Sequence, residues 1–201
     1  MNKRYLHDED KDEHEDKAEK YKDEFYYKIL NKNRYILLYD EINNISADIV
    51  CSKLRAMNYL NKTEPITLEI NSPGGWVTYG LSIIDTIYQI DSPVHTIISG
   101  EACSMAAMIS IVGTKRFITT NGFWMQHSCQ DLLGGNVTNI KDQAGFLFKL
   151  EKHMNGILKK RTKLNARQLN QIKNGQLWLF ADDAVKFGVA DKILNGKKIN
   201  E

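Results

Sequence analysis

Apolar residues in the middle of the chain follow two alternating rhythms: short continuous runs, and longer stretches in which apolar positions recur every third or fourth residue. The runs at Tyr35–Tyr39, Ile66–Ile70, Val94–Ile98 and Phe123–His127 have strand length and are flanked by Gly, Pro, Asn or Ser, and a further strand is predicted at Arg116–Ile118. Between them, Ser46–Asn61 places Ile49, Val50, Leu54, Met57 and Leu60 on one helical face, and Val77–Ile90 turns Leu81, Ile84, Ile87 and Tyr88 inward. A third helix is predicted from Ser104 to Val112, after the small-residue turn at Gly100. Strand and helix in alternation, with short links, predict βαβ units, an α/β fold and a mainly parallel sheet.

The rhythm changes after Gly134-Gly135. From Val137 to Lys163, Ile140, Ala144, Leu147, Phe148, Met154, Ile157 and Leu158 keep helical spacing over a length that so small a sheet cannot cover. Asn165 opens another short helix, Trp178–Phe180 reads as a strand, and Asp182-Asp183 reads as the cap of a last helix that Gly188 ends. Residues 1–24 hold ten acids and six bases with too little apolar material to repay ordering, so they read as a charged, mobile N-terminal arm preceding one domain over 25–201.

Composition narrows the possibilities. With 42% hydrophobic and 26% charged residues, the 201-residue chain is an ordinary globular protein able to build its own core. Cys51, Cys103 and Cys129 form no paired motif, which argues against a disulfide framework or a zinc knot and fits free thiols in a reducing compartment. Lys3 and Arg4 are followed by no apolar core, and no run approaches a membrane span, so a cytoplasmic location and no membrane are expected. Beyond the arm, twenty-one bases face fifteen acids, but no basic cluster is interleaved with aromatics, so no nucleic acid is expected as partner.

Three segments carry chemistry. Ile70-Asn71-Ser72-Pro73-Gly74-Gly75 is a two-glycine turn after a strand, Gly100-Glu101-Ala102-Cys103-Ser104-Met105 sets a serine at a helix start, and Met125-Gln126-His127 ends a strand in histidine. A serine nucleophile needs a base for its proton and backbone donors for the oxyanion. Ser104 is the candidate nucleophile, with helix N–H groups beside it, and His127 the candidate base. Of the other histidines, His7 and His14 fall in the arm, His153 in the long helix and His95 on another strand. The amides of Gly75 and Met105 are the candidate oxyanion donors. Taken singly, Ser104 reads as a helix cap, His127 as a sheet histidine and Gly74-Gly75 as a tight turn; the ordered set favours an acyl-transfer site. Cys103 reads as a small core residue and Cys129 as a loop thiol, with a cysteine nucleophile the lesser alternative.

Ile70–Gly75, Ser82–Thr86, Gly100–Met105 and Gly188–Asp191 together resemble the proteolytic subunit of the Clp protease, ClpP, over residues of about 28 to 194. The resemblance implies a ClpP/crotonase-type fold of stacked βαβ units with a protruding handle helix at about 137–163. It implies a serine endopeptidase of ATP-dependent type acting on polypeptides, homo-oligomeric as a heptameric ring or double ring, with no cofactor or metal. The family's nucleophile carries over onto Ser104, its base onto His127 and its oxyanion amides onto Gly75 and Met105. The edge against which it lays an extended peptide carries over onto Leu132, Leu133, Gly134, Gly135 and Asn136.

Four positions depart from the family pattern. Its triad aspartate aligns with Gln176, an amide that cannot stabilise imidazolium as a carboxylate does, so weak or conditional activity is expected; Asp182, Asp183 and Asp131 are the alternative acids. The inter-ring arginine aligns with Gly175, and aromatic residues used to dock an AAA+ unfoldase align with Thr67 and Glu69. The alternatives are therefore a catalytically inactive ClpP-like scaffold subunit, a phage capsid-maturation protease, and a crotonase-type acyl-CoA enzyme that uses paired N–H donors for an enolate.

Overall fold

A computed structural model describes residues 25–130 and 134–195; the arm over 1–24, and with it His7 and His14, as well as Asp131, Leu132 and Leu133, lie outside the described residues. The chain divides into two units between Tyr35 and Ile36. In the first, helix α1 covers residues 25–32 and exposes Phe25, Tyr26 and Tyr27.

The second unit is built on a seven-stranded sheet: β1 (Tyr35–Tyr39), β2 (Ile66–Ser72), β3 (Val94–Cys103), β4 (Lys115–Thr119), β5 (Phe123–His127), β6 (Gln176–Phe180) and β7 (Lys192–Leu194). The helices are α2 (Asn44–Leu60), α3 (Val77–Gln89), α4 (Met105–Ser110), α5 (Val137–Arg161), α6 (Ala166–Asn174) and α7 (Ala181–Lys186). The order runs β1-β2-β3-β4-β7, with β5 on the far half of β3 and β6 on β5. The β2–β3, β3–β4, β3–β5 and β4–β7 pairings are parallel, and β5–β6 is antiparallel. The fold is thus α/β with a mainly parallel sheet. Besides β2, strand β3 serves two further partners because Gly100, at φ +95°, bends it: His95–Ile98 pair with β4, and Glu101–Cys103 with β5.

Alternation makes one sheet face the core. Ile66, Leu68 and Ile70 of β2 and Val94, Thr96 and Ile98 of β3 are buried, while the alternate residues are half-buried. Helix α2 meets that core with Ala47, Val50, Cys51, Leu54 and Met57, and α3 with Gly80, Ile83, Ile84 and Ile87. Ile49, Leu60 and Tyr88, assigned inward from spacing, are instead exposed, beyond the edge of the buried stripe of their helices. Gly80 lets α3 lie against α4, since a Cβ there would meet Met105 Cγ at 2.2 Å.

Helix α5 runs 25 residues, and only Met154 and Leu158 are buried along it. Val137, Ile140, Phe146 and Phe148 face outward. Its C-terminal end is pinned by arginines: Arg161 donates to Ile111 O and Gly113 O beyond α4, while Arg116 donates to Arg161 O, Gly188 O and the Asp191 carboxylate. The last helix, α7, starts without a side-chain cap. Asp182 and Asp183 sit inside its first turn rather than before it, where Asp183 approaches Lys186 at 3.9 Å.

Candidate active site

The Ile70–Gly75 turn is held from three sides. The buried Ser72 Oγ accepts from Gly74 N–H at 3.2 Å, and Asn71 Oδ1 accepts from Glu101 N–H at 3.2 Å, tying the turn to the bend of β3. Ile42 N–H donates to Gly74 O at 2.7 Å and Trp76 N–H to Ile42 O at 2.9 Å, so Ile42 brackets Gly75 as a one-residue parallel bridge. Both glycines are required. At φ +100° a Cβ on Gly74 would lie 2.6 Å from Cys103 O and 2.8 Å from Ser104 Cβ, and at φ +145° one on Gly75 would lie 2.3 Å from Ile42 O. The turn therefore presses directly on the serine.

Ser104 joins the end of β3 to α4 at φ +53°, ψ −118°, angles that a residue with a Cβ adopts only under strain. Its N–H donates to Met125 O at 2.8 Å and its carbonyl accepts from Met108 N–H at 3.3 Å. The hydroxyl, in contrast, makes no capping bond although the residue occupies the N-cap position. Met105 is the first residue of α4, so helix geometry leaves its N–H unused. Among the described residues neither that N–H nor that of Gly75 has a hydrogen-bond acceptor.

His127 ends β5, and its Nδ1 lies 2.6 Å from Ser128 O. A carbonyl can only accept, so this bond requires the proton on Nδ1 and leaves Nε2 with its lone pair. Gln176 stands directly opposite His127 in the β5–β6 register, but its Oε1 accepts from Trp178 Nε1–H at 3.0 Å. The orienting partner of the imidazole in this arrangement is a main-chain oxygen, which carries no residue-type signal in a sequence. Gly175 follows α6 as its C-cap.

Gly75, Ser104, Met105 and His127 line one cavity of about 280 Å³. It shares Gly75, Val77, Cys129 and Gln130 with a larger cleft of about 670 Å³, walled by Trp76, Phe146, Leu147 and Leu150. Sequence reasoning passed over Gln126, which is buried and also lines the smaller cavity. Cys103 is no competitor to the serine: burial and then the neighbouring Glu101 carboxylate push its thiol up to about 12, so it stays protonated. Burial, and then Glu151, likewise raise Cys129.

Of the remaining expected substrate residues, Gly134 and Asn136 are otherwise engaged, and Gly135 takes a positive φ of +115° between them. Gly134 donates its N–H to Gln143 Oε1 and accepts from Gln143 Nε2, both at 3.2 Å, so a side-chain amide of α5 imitates a neighbouring strand. The Asn136 side chain accepts from Asn139 N–H at 2.9 Å as the cap of α5. On β2, Glu69 Oε1 accepts from Tyr39 OH at 2.7 Å, and Thr67 is half-buried. No helix among the described residues is long and apolar enough to cross a membrane.

Residues 17–197 match the family model described as Clp protease. The sequence is 33% identical over 175 residues to an ATP-dependent Clp protease proteolytic subunit 1 of Rhodopirellula baltica, an alignment covering 86% of this chain and 77% of that protein.

Proposed function

The chain belongs to the Clp protease family, and from that premise we propose that it is a ring-forming serine peptidase subunit with Ser104 as nucleophile and His127 as general base. The observation that carries this reading is the single cavity shared by Ser104, His127 and the unengaged amides of Gly75 and Met105. In the first half-reaction the Ser104 hydroxyl passes its proton to His127 Nε2 as its oxygen attacks the scissile carbonyl carbon. The carbonyl oxygen becomes an oxyanion between the two amides, at the positive end of α4. His127 then returns the proton to the departing amine, the C–N bond breaks and an ester to Ser104 remains. Water, deprotonated by the same nitrogen, attacks that ester; the bond from the acyl carbon to the Ser104 oxygen breaks, His127 returns the proton to that oxygen, and the acid is released.

Ser128 O fits the task of holding the imidazole in the reactive tautomer. As a neutral acceptor it stabilises the imidazolium less than a carboxylate would, which makes a slow enzyme the expectation. A second reading draws on the same feature. No carboxylate among the described residues is bonded to His127, as suits a scaffold subunit that keeps the ring and lacks the chemistry. Ring assembly through α5 and delivery of polypeptide by an AAA+ unfoldase are part of the proposal, with Thr67 and Glu69 making the docking surface unlike the aromatic one.

A fluorophosphonate probe separates the readings. The peptidase acquires a covalent adduct at Ser104, read by mass spectrometry, and loses both adduct and peptide turnover in Ser104→Ala. A scaffold subunit of intact ring size takes up no label.

A further inference from the structure

Gln126 lines this site, and acyl transfer leaves its side-chain amide without a task. It is 6% exposed, and its Oε1 is the single buried side-chain oxygen or nitrogen among the described residues with no hydrogen-bond partner. An unpaired buried amide is destabilising, and an apolar side chain of equal volume would suit the position better on stability grounds alone. Alternation along β5 turns Gln126 away from His127, onto the face it shares with Trp124, whose indole N–H donates to Ala107 O of α4 at 3.2 Å. There it lines the cavity together with Met105 of α4 and Met154 of α5.

We propose that this cavity receives the side chain of the residue on the acyl side of the cleaved bond, and that Gln126 selects there an uncharged side chain bearing a hydrogen-bond donor, a carboxamide above all. The inference rests on the peptidase reading of Ser104. The cavity opens beside the nucleophile and both oxyanion donors, where the residue supplying the scissile carbonyl must sit. Among the described residues no Asp, Glu, Lys or Arg lines it, so a charged side chain would meet no counter-ion there. An aliphatic side chain fits the walls of Val77, Met105 and Met154 but leaves the Gln126 oxygen unpaired. A carboxamide N–H pairs it, after a rotation about the soft terminal torsion of the glutamine. Sites built to bond a polar group reject the isostere lacking it far more strongly than apolar pockets reject a missing methylene.

The test uses fluorogenic peptides identical except for Gln or Met at the residue supplying the scissile carbonyl, offered to the full chain and to Gln126→Met. The wild type is expected to favour Gln by ~10-fold or more in kcat/KM and the variant to favour Met. Gln126→Met is also expected to melt at or above the wild-type temperature, since it removes an unpaired buried acceptor. Equal preferences in the two proteins would overturn the inference while leaving Ser104 as nucleophile. A variant melting well below wild type would overturn it too, by giving the amide a structural role. No turnover of any peptide, with Ser104 unlabelled by fluorophosphonate, would remove the peptidase reading and this one with it.

Discussion

Single atoms around His127 set what the site can do. With Ser128 O on Nδ1 and the Gln176 amide held by Trp178, no carboxylate among the described residues is bonded to the imidazole. Replacing a triad carboxylate by an amide costs about 10⁴ in rate in the chymotrypsin-type example. Restoring the charge by Gln176→Asp, directly across the β5–β6 pair, is therefore expected to raise kcat by at least about tenfold, with KM little changed, in steady-state peptide hydrolysis. An unchanged kcat in a properly folded variant would show that the Ser128 carbonyl already suffices. The serine, the histidine and the two glycines were legible because each sits at a break in the hydrophobic pattern and has a chemistry of its own. Ser128 was not legible, because a main-chain acceptor is present at every residue. Gln126 was passed over because a lone polar residue inside a five-residue strand reads as solvent-facing until the neighbouring helices are placed.

Elements are joined by contacts that titrate. Burial raises the Asp191 carboxyl, but bonds from the Arg116 side chain and main chain outweigh it and hold the group below the usual carboxylate range. A carboxyl lowered in this way stabilises the fold above its unfolded pKa, near 3.9, and that stabilisation is lost as pH falls through the lower folded value. Asp191→Asn is thus expected to lower the urea midpoint at neutral pH, with the difference from wild type shrinking below about pH 4. A constant gap across that range would assign the effect to packing. The same network explains which elements the sequence revealed. Strands bounded by Pro, Asn or Gly were readable from composition. The extension of β3 to Cys103 was hidden, since Gly100 reads as an end when it is a bend, and the three-residue β7 has no periodicity to detect and exists through its pairing with β4.

At the scale of the whole molecule the unexplained surface is α5. A 25-residue helix with two buried residues leaves Val137, Ile140, Phe146 and Phe148 exposed, the last at 73%, an apolar surface of the kind that marks an interface. If the ring reading is right, Phe148→Glu is expected to shift sedimentation from a large assembly to smaller species, and to depress peptide turnover because the cleft shares Phe146 and Leu147 of the same helix. An unaltered sedimentation profile would move the interface elsewhere. One detail at the junction of β3 and α4 bears on the choice between a working subunit and a bystander. The backbone angles at residue 104 are those glycine takes without cost, whereas a serine there gives up on the order of 1–3 kcal/mol of fold stability. A lineage released from cutting peptides would gain by exchanging that whole hydroxymethyl side chain for a bare hydrogen, and such a change needs only one substitution. This chain still carries the oxygen, which is what continued use would maintain.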